Sequence, residues 1–307
     1  MAYCNILFAG SNTLYGAVNL LGSDIAINNS TIANSGSFGI HTTYSNLKGG
    51  FISFSNNTIN TTAKYGIEIN SQKLSGIGTG NTFTNIKGIQ LFGDFLSSTP
   101  QTWKNLGAPY IISQEIDIDG TLTIEPGTTF KFESNGWLAI GYYEATTFIA
   151  DGTSAAPITF TSASASPVAG TWRGVAFYEE AQTNSKMNYC IVEYAGNTTT
   201  YGAVDMNNTA SIIFTNNIVR HSGSFGVNID WDAGFEVFNN NTINNCVNHL
   251  IVISTNHLPD LDHRMCSQLL PGKEYQYQVI INILMRLHGV SRQLITMYLG
   301  EQQAWMA

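Results

Sequence analysis

The 307-residue chain carries 21 acidic against 13 basic residues, a net charge of −8. That field opposes a polyanion, and single lysines such as Lys48, Lys64, Lys73 and Lys87 form no basic patch, so nucleic acid is not an expected partner. Charged residues make up only 11% of the chain, about half the usual share, while Asn, Thr, Ser and Gly abound, as suits strands with uncharged faces and turns.

No run of about 18 apolar residues offers a membrane span, and Met1-Ala-Tyr-Cys4 has none of the regions of a signal peptide. The cysteines Cys4, Cys190, Cys246 and Cys266 show no CxxC spacing for zinc and no framework of bridges. Cys4 and Cys190, at the same place in the two copies, are expected to be buried thiols.

Two stretches copy one another. Met1-Ala-Tyr-Cys4 recurs as Met187-Asn-Tyr-Cys190, Tyr15-Gly-Ala-Val18 as Tyr201-Gly-Ala-Val204, and Ser35-Gly-Ser-Phe-Gly39 as Ser222-Gly-Ser-Phe-Gly226. Because Met1 aligns with an internal Met187, the chain is expected to be a piece of a longer repeat protein. Strand starts recur at Val18, Ile40, Ile67 and Ile89, and again at Val204, Val227 and near Leu250. Apolar and polar residues alternate within each, as in Ile67-Glu68-Ile69, which predicts half-buried strands. Repeats of this length fit one coil of three short strands, the unit of a solenoid. An outward column of Asn19, His41, Glu68 and Gln90 is expected over the first set, continued by Asp205 and Asn228 over the second. Asn29, Asn57, Asn81, Asn217 and Asn241 follow the second strand of their coils and predict a ladder of side-chain amides, against the plainer alternative of surface turns.

Between about Trp103 and Phe177 the strands become longer and are punctuated by glycine. Here Leu122-Thr-Ile-Glu-Pro-Gly127 with Phe130-Lys-Phe132, Ala150-Asp-Gly-Thr153 with Pro157-Ile-Thr-Phe-Thr-Ser162, Gly170-Thr-Trp-Arg-Gly-Val-Ala-Phe177 and the Asn-Asn-Thr-Ile coils carry a likeness. The chain resembles the right-handed parallel β-helix surface proteins of the pectate-lyase-like superfamily. The resemblance implies an all-β, right-handed single-stranded parallel β-helix over residues 1–255, with related copies at 1–96 and 187–255 joined by further coils at 97–186. It also implies a secreted or cell-surface setting. It says little about chemistry, because that superfamily holds lyases, hydrolases, adhesins and structural modules.

From residue 256 to 307 the repeat stops. Val279 to Leu287 and Val290 to Leu299 have spacing compatible with two short helices broken at Gly289, a cap over the last coil; the alternative is a poorly structured tail. His257, His263 and Cys266 lack a regular zinc spacing.

Candidate sites are sparse. Asp205, Asp230 and Asp232, with Glu193, Arg220 and His221 near by, are the nearest approach to an acidic catalytic cluster, weighed against solvated turn residues. Glu115, Asp117 and Asp119 alternate with isoleucines on one strand face, where calcium is the possible cofactor and a solvated face the alternative. Of the aromatics Trp103, Trp137, Trp172, Tyr142, Tyr143, Tyr178 and Trp231, the surface candidates for stacking on a sugar are Trp231 and the Tyr142-Tyr143 pair. The expected work is non-catalytic: adhesion or binding to a polysaccharide or cell-surface glycan. The alternatives are a polysaccharide lyase or glycoside hydrolase, and a purely structural spacer.

Overall fold

The computed structural model describes residues 1–11, 14–42, 49–230, 232–248 and 251, and the backbone alone of 252–255, 279–285 and 293–299. Trp231, His257, His263 and Cys266 lie outside the described residues.

Successive coils lie on one another in parallel register. Val18 pairs with Ile40, Ile40 with Ile67 and Ile67 with Ile89, so each inward side chain packs on its equivalent one coil away, at the ~4.8 Å strand spacing. Ile40, Ile67 and Ile89 are fully buried. Their strands belong to one ten-stranded sheet, called here the straight sheet. It continues through Tyr110–Ile112, Thr129–Phe132, Ile158–Ser162, Cys190–Glu193, Ile218–Arg220 and Thr242–Asn244. Register also aligns the core aromatics: the Phe130 and Phe160 rings stack with centroids 5.2 Å apart, and Phe132 lies flat on Trp172 at 3.9 Å. Stacked rings gain more than their buried area alone provides.

A second sheet is bent. The strand Glu115–Ile124 turns a corner at Gly120, whose φ is +115°, and a Cβ there would run into the Ser97 carbonyl. Only glycine adopts that backbone freely. The first half of the strand pairs with Trp137–Ile140 and the second with Thr147–Asp151. Above the first half lie Gly174–Phe177, Gly202–Met206, Phe225–Asp230 and Ile251–Thr255; above the second lie Lys186–Asn188, Ser211–Thr215 and Gly234–Asn239.

The two sequence copies therefore occupy different faces. Strand starts of the first copy build the straight sheet, whereas their equivalents in the second, at Val204 and Val227, belong to the bent one. The continuous outward column expected from Asn19 to Asn228 is two separate columns. Nor is it a solvated flank: Glu68, Gln90, Asp205 and Asn228 are all buried.

The asparagine ladder is present. Asn57 donates Nδ2 to the Ile27 carbonyl at 2.8 Å and accepts the Ser30 N–H at 3.0 Å. Asn81 does the same with Phe54 and Asn57, Asn217 with Met187 and Cys190, and Asn241 with Phe214 and Asn217. Asn29 is the exception. Its rung is filled by Ser30, whose hydroxyl accepts the Cys4 N–H at 3.1 Å, while Asn29 takes the preceding corner at φ +51°. Asn56, Asn216 and Asn240 hold that same left-handed corner in other coils, a conformation Asn tolerates better than most residues. One sequence feature, Asn-Asn, thus serves two positions. Cys4, Cys190 and Cys246 are free thiols; Cys190 is buried as expected, whereas Cys4, in the first coil, is only half-buried.

The expected helices are not formed. Val279–Met285 is a strand pairing in parallel with Ile251–Thr255, and Gln293–Leu299 returns antiparallel to it. Val279-Ile-Ile-Asn-Ile is rich in β-branched residues, and the open edge of the last coil offers hydrogen-bond partners that a helix would leave unused.

Replacing Asn217, which is 1% exposed, by alanine strands the Cys190 N–H and the Met187 carbonyl without partners. Asn217→Ala is expected to lower the unfolding free energy by about 2–4 kcal/mol, read as a reduced urea midpoint, and Asn240→Ala at the exposed corner by about 1 kcal/mol. Equal losses would show that the amide bonds are not what the buried rung contributes.

Candidate functional site

The outer face of the bent sheet gathers the chemistry. Its register places Asp117, Ala139, Ala176, Asp205 and Asn228 in one column. One coil earlier, Asp94 accepts the Asp117 N–H at 3.1 Å. Acids therefore flank two alanines.

Over the alanines sits a small apolar cluster outside the core, made by Trp137, Ala139, Ala176 and Tyr178. The Arg173 guanidinium covers Trp137 at 3.4 Å from the ring centroid and faces Tyr201 at 4.7 Å. Cation–π contacts of this kind tie three coils together along the solenoid edge. Trp103 and Trp172 are fully buried core residues.

At the other flank Tyr142 packs edge-on against Tyr143 at 4.6 Å and against Tyr178 at 4.7 Å. Tyr142 is 47% exposed and Tyr143 64%, so the expected surface pair is on the surface. Its loop is held by Asp119, whose Oδ1 accepts the Tyr143 and Glu144 N–H groups at 3.2 and 3.1 Å. Asp119 Oδ2 and Asp117 Oδ1 are buried and have no hydrogen-bond partner.

Asp94 and Glu115 are exposed and Asp117 is half-buried. Burial, then the charges of Asp94, Glu115 and Asp119, and then a hydrogen bond with Glu115 push Asp117 up from 3.8 to about 7. Two carboxyl groups hydrogen-bond one another only while one keeps a proton. The Tyr143 hydroxyl is also pushed up, by desolvation first and then by Asp117 and other neighbours that include Glu115 and Asp94. Tyrosine and acids share one patch.

The three carboxylates predicted for calcium are thus used differently. Glu115 and Asp117 approach one another, while Asp119 is engaged by the turn. Among the described residues no three His, Cys, Asp or Glu groups are placed to share a metal ion.

The second acidic cluster assembles only in part: the charge of Asp230 acts on Asp205, while Glu193 and Arg220 are on the other sheet. Asp205 Oδ1 accepts the Gly202 N–H at 2.8 Å and the Asn228 amide at 3.1 Å, and burial pushes it up to about 7 against the opposing pull of those bonds and of Arg173. In the first copy Asn19 clamps Gly16 in the same way at 2.9 Å. A residue that an asparagine replaces in the equivalent turn is holding the turn. Asp230 is half-buried at the end of its strand and Asp232 is exposed beyond it. Glu193 and Arg220 lie on the straight sheet, bonded to each other at 2.7 Å, and His221 stacks on Tyr194.

Residues 99–223 match the family described as pectate-lyase like beta helix domain. The chain carries a pectate-lyase-like β-helix domain. Most of the tyrosine and acid patch lies inside that domain, with Asp94 just before it. No curated protein and no solved structure gives a significant match to the chain.

Sequence reasoning missed Asp94 and the Trp137–Arg173–Tyr201 stack. Asp94 was within reach: it precedes Asp117 by 23 residues, one coil length, and opens the apolar strand Phe95–Trp103. The stack carried no such signal, since Arg173 adjoins the buried Trp172 in sequence.

Because the folded state raises the Asp117 pKa, ionising it opposes folding. The resulting loss of stability is absent below about pH 4, develops between about pH 4 and 7 and persists above. Asp117→Asn removes the charge, so the variant is expected to melt higher than the parent at pH 8 and no higher at pH 4. A difference in Tm independent of pH would show that Asp117 is not held against ionisation.

Proposed function

We propose that the chain is a non-catalytic, extracellular or cell-surface β-helix module that contacts a carbohydrate through the outer face of its bent sheet. The observation that carries this reading is the exposed, mutually packed Tyr142 and Tyr143 beside the Asp94, Glu115 and Asp117 carboxyls. Sugar rings are recognised by a flat apolar surface together with groups that accept hydroxyl hydrogens, and this patch supplies both. The rigid stack of coils holds the patch open without help from a ligand, which lowers the cost of ordering on binding. The reading requires no cofactor. The extracellular setting is supported by the β-helix domain and its likeness to surface proteins.

A glycan array followed by affinity electrophoresis on the retained polysaccharides tests this. The parent protein is expected to retain at least one glycan class, and Tyr142→Ala with Tyr143→Ala to weaken that binding about tenfold or more. Retention of no glycan would leave a structural spacer as the better account.

One observation favours a second reading, hydrolysis of a glycosidic bond. Asp117 holds a proton near neutral pH beside two exposed carboxyls. The ~4.8 Å rung spacing to Asp94 suits an acid and a partner carboxylate, whereas Glu115 is hydrogen-bonded to Asp117 itself. Release of new reducing ends from a bound polysaccharide, abolished in Asp117→Asn, would support it; turnover that survives this substitution would overturn it.

A further inference from the structure

We infer that the chain carries a second binding groove, separate from the tyrosine and acid patch, that takes a short stretch of neutral sugar chain. The groove lies at the corner where the second half of the bent sheet passes into the straight sheet. Between Thr147–Asp151 and Ile158–Ser162 that corner takes residues 152–157, whereas the next coil turns on Tyr189 alone and the two after it on Asn216-Asn217 and Asn240-Asn241. The long corner stands beside the tight ones as a wall. Thr153, Ser154 and Pro157 line one side of a groove of about 410 Å³, within the size of small-ligand sites. The wall is stiff, since Thr153 and Ala156 exchange backbone hydrogen bonds at 3.1 Å and the Gly127 N–H donates to the Ala156 carbonyl at 3.0 Å.

The floor departs from the rest of its sheet. Register aligns Thr129, Thr159, Ile191, Ile218 and Thr242 in one outward column, so two isoleucines stand where the flanking coils hold threonine. Their neighbours Val192 and Val219 point into the core and are fully buried, while Ile191 and Ile218 are half-buried outside it and line the groove. Single apolar residues on a surface are ordinary. Here they are adjacent, lie at the bottom of a concavity, and are joined there by the half-buried Tyr189, whose ring is the kind of flat apolar surface a sugar face takes.

The rim sets the ligand's chemistry. Asn216 spends its Nδ2 on Asn188 Oδ1 at 2.8 Å and keeps its own oxygen as an acceptor, and the exposed Asn240 offers a donor and an acceptor. Both belong to corners, not to the ladder rungs that Asn217 and Asn241 fill. Sugar hydroxyls also donate and accept, so amides and hydroxyls match them group for group. Among the described residues no charged side chain lines the groove. An ionised ligand would lose water against the isoleucines with no counter-charge to receive it, and the net charge of −8 opposes an acidic sugar further. The fit is to an uncharged ring.

The test uses the full chain and calorimetry with five probes: cellotriose, mannotriose, galactotriose, a galacturonate trimer and an alanine tripeptide with blocked ends. At least one neutral trisaccharide is expected to bind with a Kd on the order of 1 mM, and the galacturonate trimer and the peptide at least tenfold more weakly. Ser154→Trp, on the exposed loop, fills the groove from its rim and is expected to weaken the neutral sugar tenfold or more. Asn240→Gly keeps the left-handed corner and removes the amide, with an expected loss of about fivefold; it serves where the tryptophan variant fails to fold, as judged by its urea midpoint. Tyr142→Ala with Tyr143→Ala is expected to leave this binding unchanged. A neutral sugar lost in the tyrosine double variant but kept in Ser154→Trp would overturn the inference and leave the carbohydrate patch standing. Binding of none of the three neutral sugars, or of the galacturonate trimer or the peptide as tightly as the best of them, would also overturn it, whatever the patch itself retains.

Discussion

Register between coils is the constraint on which the rest of this structure depends. In a parallel, in-register stack each side chain meets its own counterpart ~4.8 Å away in the coils before and after it. Apolar residues gain from that, as the Ile40, Ile67 and Ile89 column does, and so do asparagines, whose amides offer a donor and an acceptor to successive coils. Like charges lose. The low content of charged residues follows directly, since a charge repeated down a column would repel itself at every rung. Where charged groups do stand in neighbouring coils of the straight sheet they are of opposite sign, as in Glu193 with Arg220 at 2.7 Å. His41 with Glu68 at 3.1 Å pairs a protonatable ring with a carboxylate.

A repeated sequence need not repeat a position. Tyr-Gly-Ala-Val makes the same clamped turn in both copies, closed by Asn19 in one and Asp205 in the other. Yet the strands that follow belong to different sheets, because Phe95–Trp103 and Glu115–Ile124 each run around a corner and change which face a strand start meets. Local turn chemistry is encoded within a coil, whereas the face a coil presents depends on the lengths of all coils between. An acid in one copy and an amide in the other can therefore do the same structural work while facing different neighbours.

That distinction explains what was legible beforehand. The stacking of Val18, Ile40, Ile67 and Ile89, the ladder through Asn57, Asn81, Asn217 and Asn241, and the exposure of Tyr142 and Tyr143 follow from spacing and alternation, which are properties of short windows. The misplacement of Asn29 by one residue came from a doublet, Asn28-Asn29, that ends at the corner, whereas Asn56-Asn57, Asn216-Asn217 and Asn240-Asn241 start there. The tail strands were misread because apolar runs of seven to ten residues satisfy a helical and an extended pattern alike, and a waiting sheet edge decides between them. Clustering of Asp94 with Asp117, and the separation of Asp205 from Glu193 and Arg220, depend on the register of whole coils. Nothing in a local window reports that.

Against this background the Asp94, Glu115 and Asp117 group breaks the rule the fold otherwise keeps. Two carboxyls stand on adjacent rungs of one column, a third lies two residues along, and the middle one is held against ionisation. An asparagine at 94 or 117 would keep a polar ladder without the repulsion, as asparagine does at 19. Places where local consistency is given up are the ones to search for function. The neighbouring tyrosines, exposed on a loop that Asp119 fixes in place, are why the proposed contact is set on the solvent face of the bent sheet.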